Sequence, residues 1–215
     1  MDTDRGFFRF KFWVHCLSTK WFAQRVFTVS YDQRNLIADK LGIPLYNKEL
    51  ITIAAKKSGL SEEAIAASEK RRTGSLMYSL YTMGNQLPLA DQVFILQSRI
   101  IKEIAEKGPC VIVGRCADYV LRDIPGVLKV FVYAPMSYRI AWGRQHENLP
   151  ADDAAAEAAI RKADRRKADY YNYYTQNRWG EAASYDLCLN AAMGTETCAH
   201  ILLTAYKAIQ EGLPK

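Results

Sequence analysis

The stretch CVIVGR at residues 110–115 decides the fold of this chain. Its first four residues are all apolar and do not alternate with polar ones, as expected of a strand that is buried on both faces of a sheet. Similar runs occur four more times, as VFTVS at 26–30, IPLY at 43–46, LKVFVY at 128–133 and YDLCLN at 185–190. Together these runs predict a parallel sheet.

Helical patterns separate the predicted strands. Residues 91–107 place Val93, Gln97 and Ile100 on one stripe of a helix, and residues 195–211 show a second amphipathic pattern. Strands that alternate with helices predict an α/β fold of three layers, in which helices cover both faces of a parallel sheet.

Two stretches interrupt this alternation and predict helical insertions. Residues 47–89 hold no strong strand but contain helix signals, including Ser61 followed by two glutamates. Residues 147–180 begin with an alanine-rich, highly charged helix and end in a tyrosine-rich stretch that is typical of a loop. We therefore predict a core over residues 26–215 that carries both insertions. Residues 1–25 form an extension of unclear role, within which residues 7–14 alternate like an additional strand.

Composition limits the possible functions. The chain has 215 residues, 49% of them hydrophobic, which fits one domain or a core with an inserted subdomain. Its net charge of +6 favours phosphate-bearing ligands without requiring a nucleic acid. The five cysteines show no metal-ligand spacing, no apolar run reaches the roughly 20 residues of a membrane span, and no secretion signal is evident. We expect a cytoplasmic protein without a membrane partner. The three histidines are isolated, so no metal site is predicted.

A basic run at residues 161–167 is the densest group of charges. It reads RKADRRK, with five cations and one acid in two helical turns. On a helix, Asp164 lies on the same face as Arg161 and Arg165 and can hold both by ion pairs. Oriented guanidinium groups suit a polyphosphate, although a solvated helix face explains the run as well. The tyrosines that follow fit a closing lid, a base-stacking surface or simple packing.

Arg115 follows the central predicted strand directly. In open α/β sheets, ligands bind in the crevice at the carboxyl ends of the strands, so Arg115 is expected to reach that site. Asp118 lies three residues further on and either orients Arg115 or caps the next helix; both interpretations stay open. Arg139 and Arg144 follow the strand at 128–133 and are expected to line the same crevice.

Three longer strings carry a resemblance to a known family. They are LGIPLYNKELITIAAKKSGLSEEAI, LPLADQVFILQSRIIKEIAEKGPCVIVGRCADYVLRD and DRRKADYYNYYTQNRWGEAASYDLCLN. In these strings, over roughly residues 26–210, the chain resembles the cytidylate kinase-like branch of the nucleoside monophosphate kinases. The resemblance implies a P-loop kinase core, a helical monophosphate-binding insertion at 47–89 and a lid at 147–180. It also implies phosphoryl transfer from ATP, with Mg²⁺, to a monophosphate, most often CMP.

The resemblance also implies roles for individual residues. Arg161, Arg165 and Lys167 would be catalytic and close over the transferring phosphate. Arg115 would hold the phosphate or the ring of the acceptor. The remaining implied contacts are Tyr46, Asn47, Lys48, Gln97 and Asp118 around the acceptor, and Arg139, Arg144, Asp164 and Arg166 on the lid.

One part of the family pattern is missing. The first strand of these kinases is followed by a glycine-rich loop whose backbone N–H groups surround a phosphate. Here no glycine occurs between Gly6 and Gly42, and Asp32 stands where it would cap the N–H groups that an anion needs. Family sequences also tend to carry an acid where this chain has Asn47 and, in the closer cytidylate kinases, where it has Cys116, which weakens the assignment to cytidine.

Three functions therefore stay open. The chain is an active monophosphate kinase with an unusual donor site, a degenerate kinase that binds a nucleotide or a partner without turnover, or a basic nucleic-acid-binding module. Nucleic acid is the least favoured partner. The first thirty residues are foreign to the family pattern, which would also be expected of a rearranged gene start.

Overall fold

The computed structural model describes residues 26–27, 38–69 and 87–210 of the chain. The strands are β1 (Val26–Phe27), β2 (Leu45–Tyr46), β3 (Cys110–Ile112), β4 (Val130–Tyr133) and β5 (Leu187–Asn190). The helices are α1 (Glu49–Ser58), α2 (Glu62–Ser68), α3 (Leu89–Lys107), α4 (Ala117–Val120), α5 (Met136–His146), α6 (Asp153–Thr175) and α7 (Thr195–Gln210). Two 3₁₀ turns, Ala182–Ser184 and Ala191–Met193, flank β5.

All strand pairs in this part of the chain are parallel, as predicted. β3 lies between β1 and β2, and β4 pairs with β5. The fold is thus a mixed α/β fold with short parallel strands, arranged as a three-stranded and a two-stranded sheet rather than as one continuous sheet. Pro44 and Pro109 immediately precede β2 and β3 and have no N–H to donate to a ladder, which favours short strands at these positions.

Three clusters of buried side chains form the core of the described residues, and the smallest joins Cys116 to Tyr171 and Tyr174. The first lies where α1, α2 and α3 meet β3, and its fully buried members include Leu50, Ile65 and Ile101. The second joins Val111 of β3 to Val130 of β4 and also contains residues of β5 and α7. Because β3 and β4 contribute to the same cluster, the two sheets share one core.

The helix signals within the two predicted insertions are confirmed. α2 begins where expected, since the Ser61 hydroxyl accepts a hydrogen bond of 3.1 Å from the N–H of Ala64. α6 begins in the same way, with Asp152 accepting 2.7 Å from Ala155. The tyrosine-rich stretch predicted as a loop is instead helical through Thr175. None of the helices that the structure describes is both long and apolar enough to cross a bilayer.

Some predicted features lie outside the described residues. They are the additional strand at 7–14, the end of the first strand at 28–30, Asp32, and residues 70–86 of the first insertion.

Candidate functional site

The ends of β2 and β3 are held side by side. Tyr46 is in register with Ile112, and the carbonyl oxygen of Tyr46 accepts a hydrogen bond of 2.9 Å from the N–H of Val113. Asn47 and Arg115 therefore leave the sheet at the same carboxyl edge, which is where ligands bind in open α/β folds.

The backbone that carries Arg115 is in an unusual conformation. Gly114, Arg115 and Cys116 have φ angles of 72°, 52° and 54°, so three consecutive residues lie in the left-handed region. Each non-glycine residue there costs roughly 1 kcal/mol. Such strain persists only where surrounding contacts fix the conformation, and it is concentrated at functional sites.

The Arg115 guanidinium is fixed by two other elements. Its Nε lies 3.2 Å from Glu69 Oε1 and its Nη2 lies 3.5 Å from Glu69 Oε2, so the residue that follows α2 is tied to the end of β3. Its Nη1 donates 3.0 Å to Asn47 Oδ1 and 3.4 Å to the carbonyl oxygen of Val113. The side chains of Arg115 and Glu69 are only 15% and 20% exposed, so solvent screens this ion pair weakly.

Gln97 of α3 completes this group, which we call the Arg115 cluster: Asn47, Glu69, Gln97 and Arg115. Gln97 is 1% exposed, and its Nε2 donates 2.7 Å to Glu69 Oε1. Its Oε1 is buried and has no hydrogen-bond partner among the residues that the structure describes. An unsatisfied buried carbonyl oxygen costs about 1–3 kcal/mol, so this atom requires an explanation.

Tyr170 of α6 lies beside the cluster. Burial raises the pKa of Tyr170 well above its ordinary value; the nearby Cys116 and Glu69 act in the same direction and Arg115 acts against them. The hydroxyl of Tyr170 is also buried, and it has no hydrogen-bond partner within residues 26–27, 38–69 and 87–210. Two polar atoms without a described partner, Gln97 Oε1 on α3 and this hydroxyl on α6, thus belong to side chains that interact with Glu69, the first through a hydrogen bond and the second electrostatically.

Asp118 does not orient Arg115, and the first of its two predicted roles is wrong. Its carboxylate accepts a hydrogen bond of 2.7 Å from the Tyr171 hydroxyl instead. The N-cap residue of α4 is Cys116, which makes no side-chain cap, and the Asp118 carboxylate interacts instead with the N–H groups of Asp118 and Tyr119 in the first turn of this helix. Burial raises the pKa of Asp118, whereas the Tyr171 hydrogen bond and the N–H groups of Asp118 and Tyr119 lower it. Asp118 therefore anchors α6 to α4.

A second buried carboxylate anchors the same end of α6. Asp91 of α3 is fully buried, and its Oδ1 accepts hydrogen bonds of 3.0 Å from Tyr174 and 3.4 Å from Tyr173. The ring of Tyr174 also stacks on Phe94, with a centroid distance of 3.9 Å. In the structure, these tyrosines pack α6 against the core.

The ion pairs predicted within the basic run are wrong. Asp164 accepts two hydrogen bonds of 2.7 Å from Arg139 of α5, and Arg161 pairs with Glu157 one turn earlier. Arg139 approaches with both terminal nitrogens, a bidentate geometry that is stronger and more specific than a single contact. Arg165 and its neighbours Arg166 and Lys167 are exposed and form no ion pair with a described residue.

Arg144 was expected to line the crevice, but its hydrogen bonds go to the loop between α5 and α6 and to the first residue of α6. Its guanidinium donates to the carbonyl oxygens of Pro150 and Ala151 and to Asp153 Oδ1 at 2.5 Å. These bonds fix the loop between α5 and α6. Arg144 therefore helps to shape the loop that leads into α6.

Of the residues expected around the acceptor, three meet in the Arg115 cluster, namely Asn47, Gln97 and Arg115. Tyr46 packs partly against the first core cluster, and Lys48 is exposed at the start of α1. Within the described residues, no hydrogen bond or ion pair joins Arg115 to residues 161–167. Tyr170, three positions beyond that run on the same helix, lies beside the Arg115 cluster.

Glu69 is the residue that sequence reasoning missed. It precedes the basic residues KRR at 70–72 and, in sequence, looks like part of a solvated charge run. Its partners Gln97 and Arg115 are 28 and 46 positions away. No local spacing could have identified it.

The described residues contain no group of three His, Cys, Asp or Glu side chains arranged to hold a metal ion. A magnesium ion that accompanies ATP is held largely by phosphate oxygens and water, and it needs few protein carboxylates.

Comparisons with known proteins bear on the family and the fold of this chain. A family model described as "Cytidylate kinase-like family" matches residues 35–192. No curated protein matches the chain. A crystal structure of an uncharacterized protein from Eubacterium ventriosum ATCC 27560 is similar, with a TM-score of 0.64, 22% sequence identity, and coverage of 86% of this chain and 97% of that one. At this identity the similarity shows the fold.

A gluconokinase from Sinorhizobium meliloti 1021 also aligns, with a TM-score of 0.46 and 12% identity over 89% of this chain and 95% of that one.

Proposed function

Because the chain belongs to the cytidylate kinase-like family, whose model matches more than two thirds of its length, we propose that it is a nucleoside monophosphate kinase. It transfers the γ-phosphoryl group of ATP, with Mg²⁺, to CMP or a similar monophosphate. The observation that carries this proposal is the Arg115 cluster at the carboxyl edge of β2 and β3, in the position where an acceptor nucleotide would bind.

The proposed core is a single three-layer fold. If β1 pairs with β4, the strand order becomes β2-β3-β1-β4-β5, entirely parallel, with helices on both faces. The shared core supports this arrangement, because Val111 of β3 and Val130 of β4 pack in one cluster. In this scheme residues 47–89 are the monophosphate-binding insertion and residues 147–180 are the lid.

The proposed lid supplies positive charge. Phosphoryl transfer depends on positioning and on neutralising charge at the equatorial oxygens, with little covalent help from the protein. Arg161 and Arg165 are exposed on α6, next to Arg166 and Lys167, and are available to a nucleotide that binds between α6 and the sheet. Asp164 and Arg139 set the position of α6 relative to α5. Closure of α6 over the nucleotide would also exclude water and suppress hydrolysis.

A second candidate function is nucleotide binding without turnover. It is favoured by the absence of glycine between Gly6 and Gly42, because a phosphate-binding loop after β1 needs glycines to turn its N–H groups inward. Loss of even one preorganised donor commonly costs about 10²–10³ in rate.

A product assay separates these functions. The protein is mixed with ATP, Mg²⁺ and CMP, UMP, AMP or GMP in turn, and nucleoside diphosphates are measured by chromatography. We expect CDP from CMP, and a rate at least about 100-fold lower for Arg161→Ala. Lys102→Ala, which removes an exposed cation from α3, is the matched control and should keep the full rate.

Other outcomes point to the other functions. Absence of any diphosphate, together with a melting temperature that CMP raises and ATP does not, would indicate binding without turnover. Affinity for RNA or DNA that falls steeply with salt, with no response to mononucleotides, would indicate a nucleic-acid-binding module.

A further inference from the structure

We infer that Glu69 and Gln97 recognise the exocyclic amino group of the acceptor's base, and that Arg115 is a positioning residue that holds Glu69 for this purpose. The inference rests on the proposed function, because it assigns the base-reading side of the same site. It predicts that the acceptor carries an amino-bearing base such as cytosine rather than uracil.

Arg115 has little capacity left for a phosphate. A guanidinium has five N–H groups, and four of them are directed at Glu69, Asn47 and the Val113 carbonyl oxygen. A phosphate could bind the Nε and Nη2 groups of Arg115 only by displacing Glu69. While Glu69 stays, its negative charge lies next to the guanidinium and repels a phosphate dianion. The exposed cations of α6 suit the phosphates better.

The same contacts leave acceptors without donors. Gln97 Oε1 is buried and has no partner among the described residues, and the 3.5 Å contact from Arg115 is the only one that Glu69 Oε2 accepts from them. The two side chains are joined by the 2.7 Å hydrogen bond from Gln97 Nε2 to Glu69 Oε1, so Gln97 Oε1 and Glu69 Oε2 are neighbouring acceptors. A ligand that donates N–H groups to these two oxygens would satisfy atoms that are costly to leave buried and unpaired.

An exocyclic amino group fits these acceptors. Cytosine carries two N–H groups on one nitrogen, and its ring N3 next to them is an acceptor. The Tyr170 hydroxyl is buried, has no partner in the described part of the chain and stays protonated, so it is a suitable donor for such a ring nitrogen. Uracil presents a carbonyl oxygen where cytosine has its amino group, and that oxygen would face Glu69 and Gln97 without a donor between them. We expect CMP to bind roughly 100-fold more tightly than UMP.

Equilibrium binding in the absence of ATP tests this. Calorimetric titration of the full chain with CMP and with UMP gives the preference of the wild type. Glu69→Gln keeps the shape but supplies an amide that can donate, and Gln97→Leu removes the unpaired acceptor; each should reduce the preference for CMP to less than about 10-fold. Glu63→Gln and Gln92→Leu are matched controls, because these exposed residues lie on the same two helices, and the preference should persist in them.

A second titration tests the role given to Arg115. Ribose 5-phosphate has the sugar and phosphate but no base. Arg115→Lys should lower the CMP preference and leave the affinity for ribose 5-phosphate within about twofold, because a positioning residue for the base does not carry the phosphate. Loss of ribose 5-phosphate binding in Arg115→Lys, with binding retained in Arg99→Lys, would assign the phosphate to Arg115 and overturn the inference.

The outcomes for this inference and for the proposed function differ. Equal affinity of the wild type for CMP and UMP, binding of neither, or an unchanged preference in both folded variants would overturn the inference, even if diphosphates form. A clear CMP preference that Glu69→Gln and Gln97→Leu abolish supports the inference, even if no diphosphate forms. Thermal melting of each variant verifies that it is folded.

Discussion

Asp164 of α6 accepts a hydrogen bond of 2.7 Å from each terminal nitrogen of Arg139 on α5. The side chains of Arg139 and Asp164 are 32% and 26% exposed, so the pair is partly buried. Charge-assisted bidentate pairs in such positions are stronger than single surface contacts. This pair makes α5 and the first part of α6 one unit, whereas the tyrosines further along α6 fix its end to the core.

The strength of this pair can be measured by a double-mutant cycle. We expect Arg139→Ala and Asp164→Ala to be coupled by about 1 kcal/mol in the free energy of unfolding, measured in urea. The control cycle uses Glu157 and Arg161, an exposed pair one turn apart on α6, which should be coupled by only about 0.3–0.5 kcal/mol. Equal coupling energies in the two cycles would contradict a special role for the contact between α5 and α6.

The predicted and observed partners of Asp164 differ because the observed partner lies on another helix. The i, i+3 and i, i+4 spacing compares a residue only with its own helix, so it predicted Arg161 and Arg165 and could not see Arg139, 25 positions earlier on another helix. The strands β2 and β3 were predictable for the opposite reason, since a continuous apolar run is a local signal.

The tyrosine-rich end of α6 shows the same limit. Tyrosine is only a moderate helix former, so a stretch rich in it is typical of a loop. In the fold, the hydroxyl groups of Tyr171 and Tyr174 find buried carboxylates on α4 and α3, and packing overrides local propensity. Glu69 could not be predicted at all, because its role depends on three elements that meet only after folding.

The raised pKa of Asp118 predicts a pH-dependent stability difference. Burial raises the folded-state pKa above the ordinary value of 3.8, so the folded protein binds this proton more tightly than the unfolded chain does. The stability that this contributes is fully present below 3.8 and is lost as the pH rises through the raised pKa. Asp118→Asn stays neutral and still accepts from Tyr171. The free energy of unfolding of Asp118→Asn minus that of the wild type should therefore increase from about pH 4 to about pH 8.

Urea denaturation at both pH values measures this change. Asp123→Asn is the matched control, because the Asp123 side chain is 82% exposed and only pairs with Arg122 at the surface. Its difference from the wild type should stay nearly constant. A constant difference for Asp118→Asn as well would show that the Asp118 carboxylate is not destabilised by burial.

Thiol reactivity should separate the cysteines of the described region. Burial raises the pKa of Cys110 to about 12 and raises the pKa values of Cys116 and Cys198, so the fraction of reactive thiolate falls at all three. Cys188 is exposed. We expect iodoacetamide at about pH 8 to modify Cys188 at least about 100-fold faster than the other three, as followed by peptide mass spectrometry. In urea the four rates should converge, and fast modification of Cys116 in the folded protein would contradict its burial beside Arg115.

The two tyrosines that bind Asp91 should differ in their effect on stability. Asp91 is fully buried and its Oδ2 has no partner within the described ranges, so the carboxylate depends on hydrogen bonds to Oδ1. Tyr174 provides the 3.0 Å bond and Tyr173 the 3.4 Å contact. Tyr174→Phe should therefore lower the free energy of unfolding by about 2–3 kcal/mol, because it removes the stronger donor from a buried charge. Tyr173→Phe is the matched control and should cost less than about 1 kcal/mol.

A further substitution distinguishes loss of the hydrogen bond from loss of packing. Phenylalanine keeps the ring that stacks on Phe94, so the cost of Tyr174→Phe should arise mainly from the unpaired carboxylate. Asp91→Asn removes that charge. It should therefore cost less in the Tyr174→Phe background than in the wild type, with urea unfolding as the measurement. Additive costs would mean that Tyr174 stabilises α6 through its ring alone, and that the buried carboxylate of Asp91 is balanced by the first turn of α3 rather than by the tyrosine.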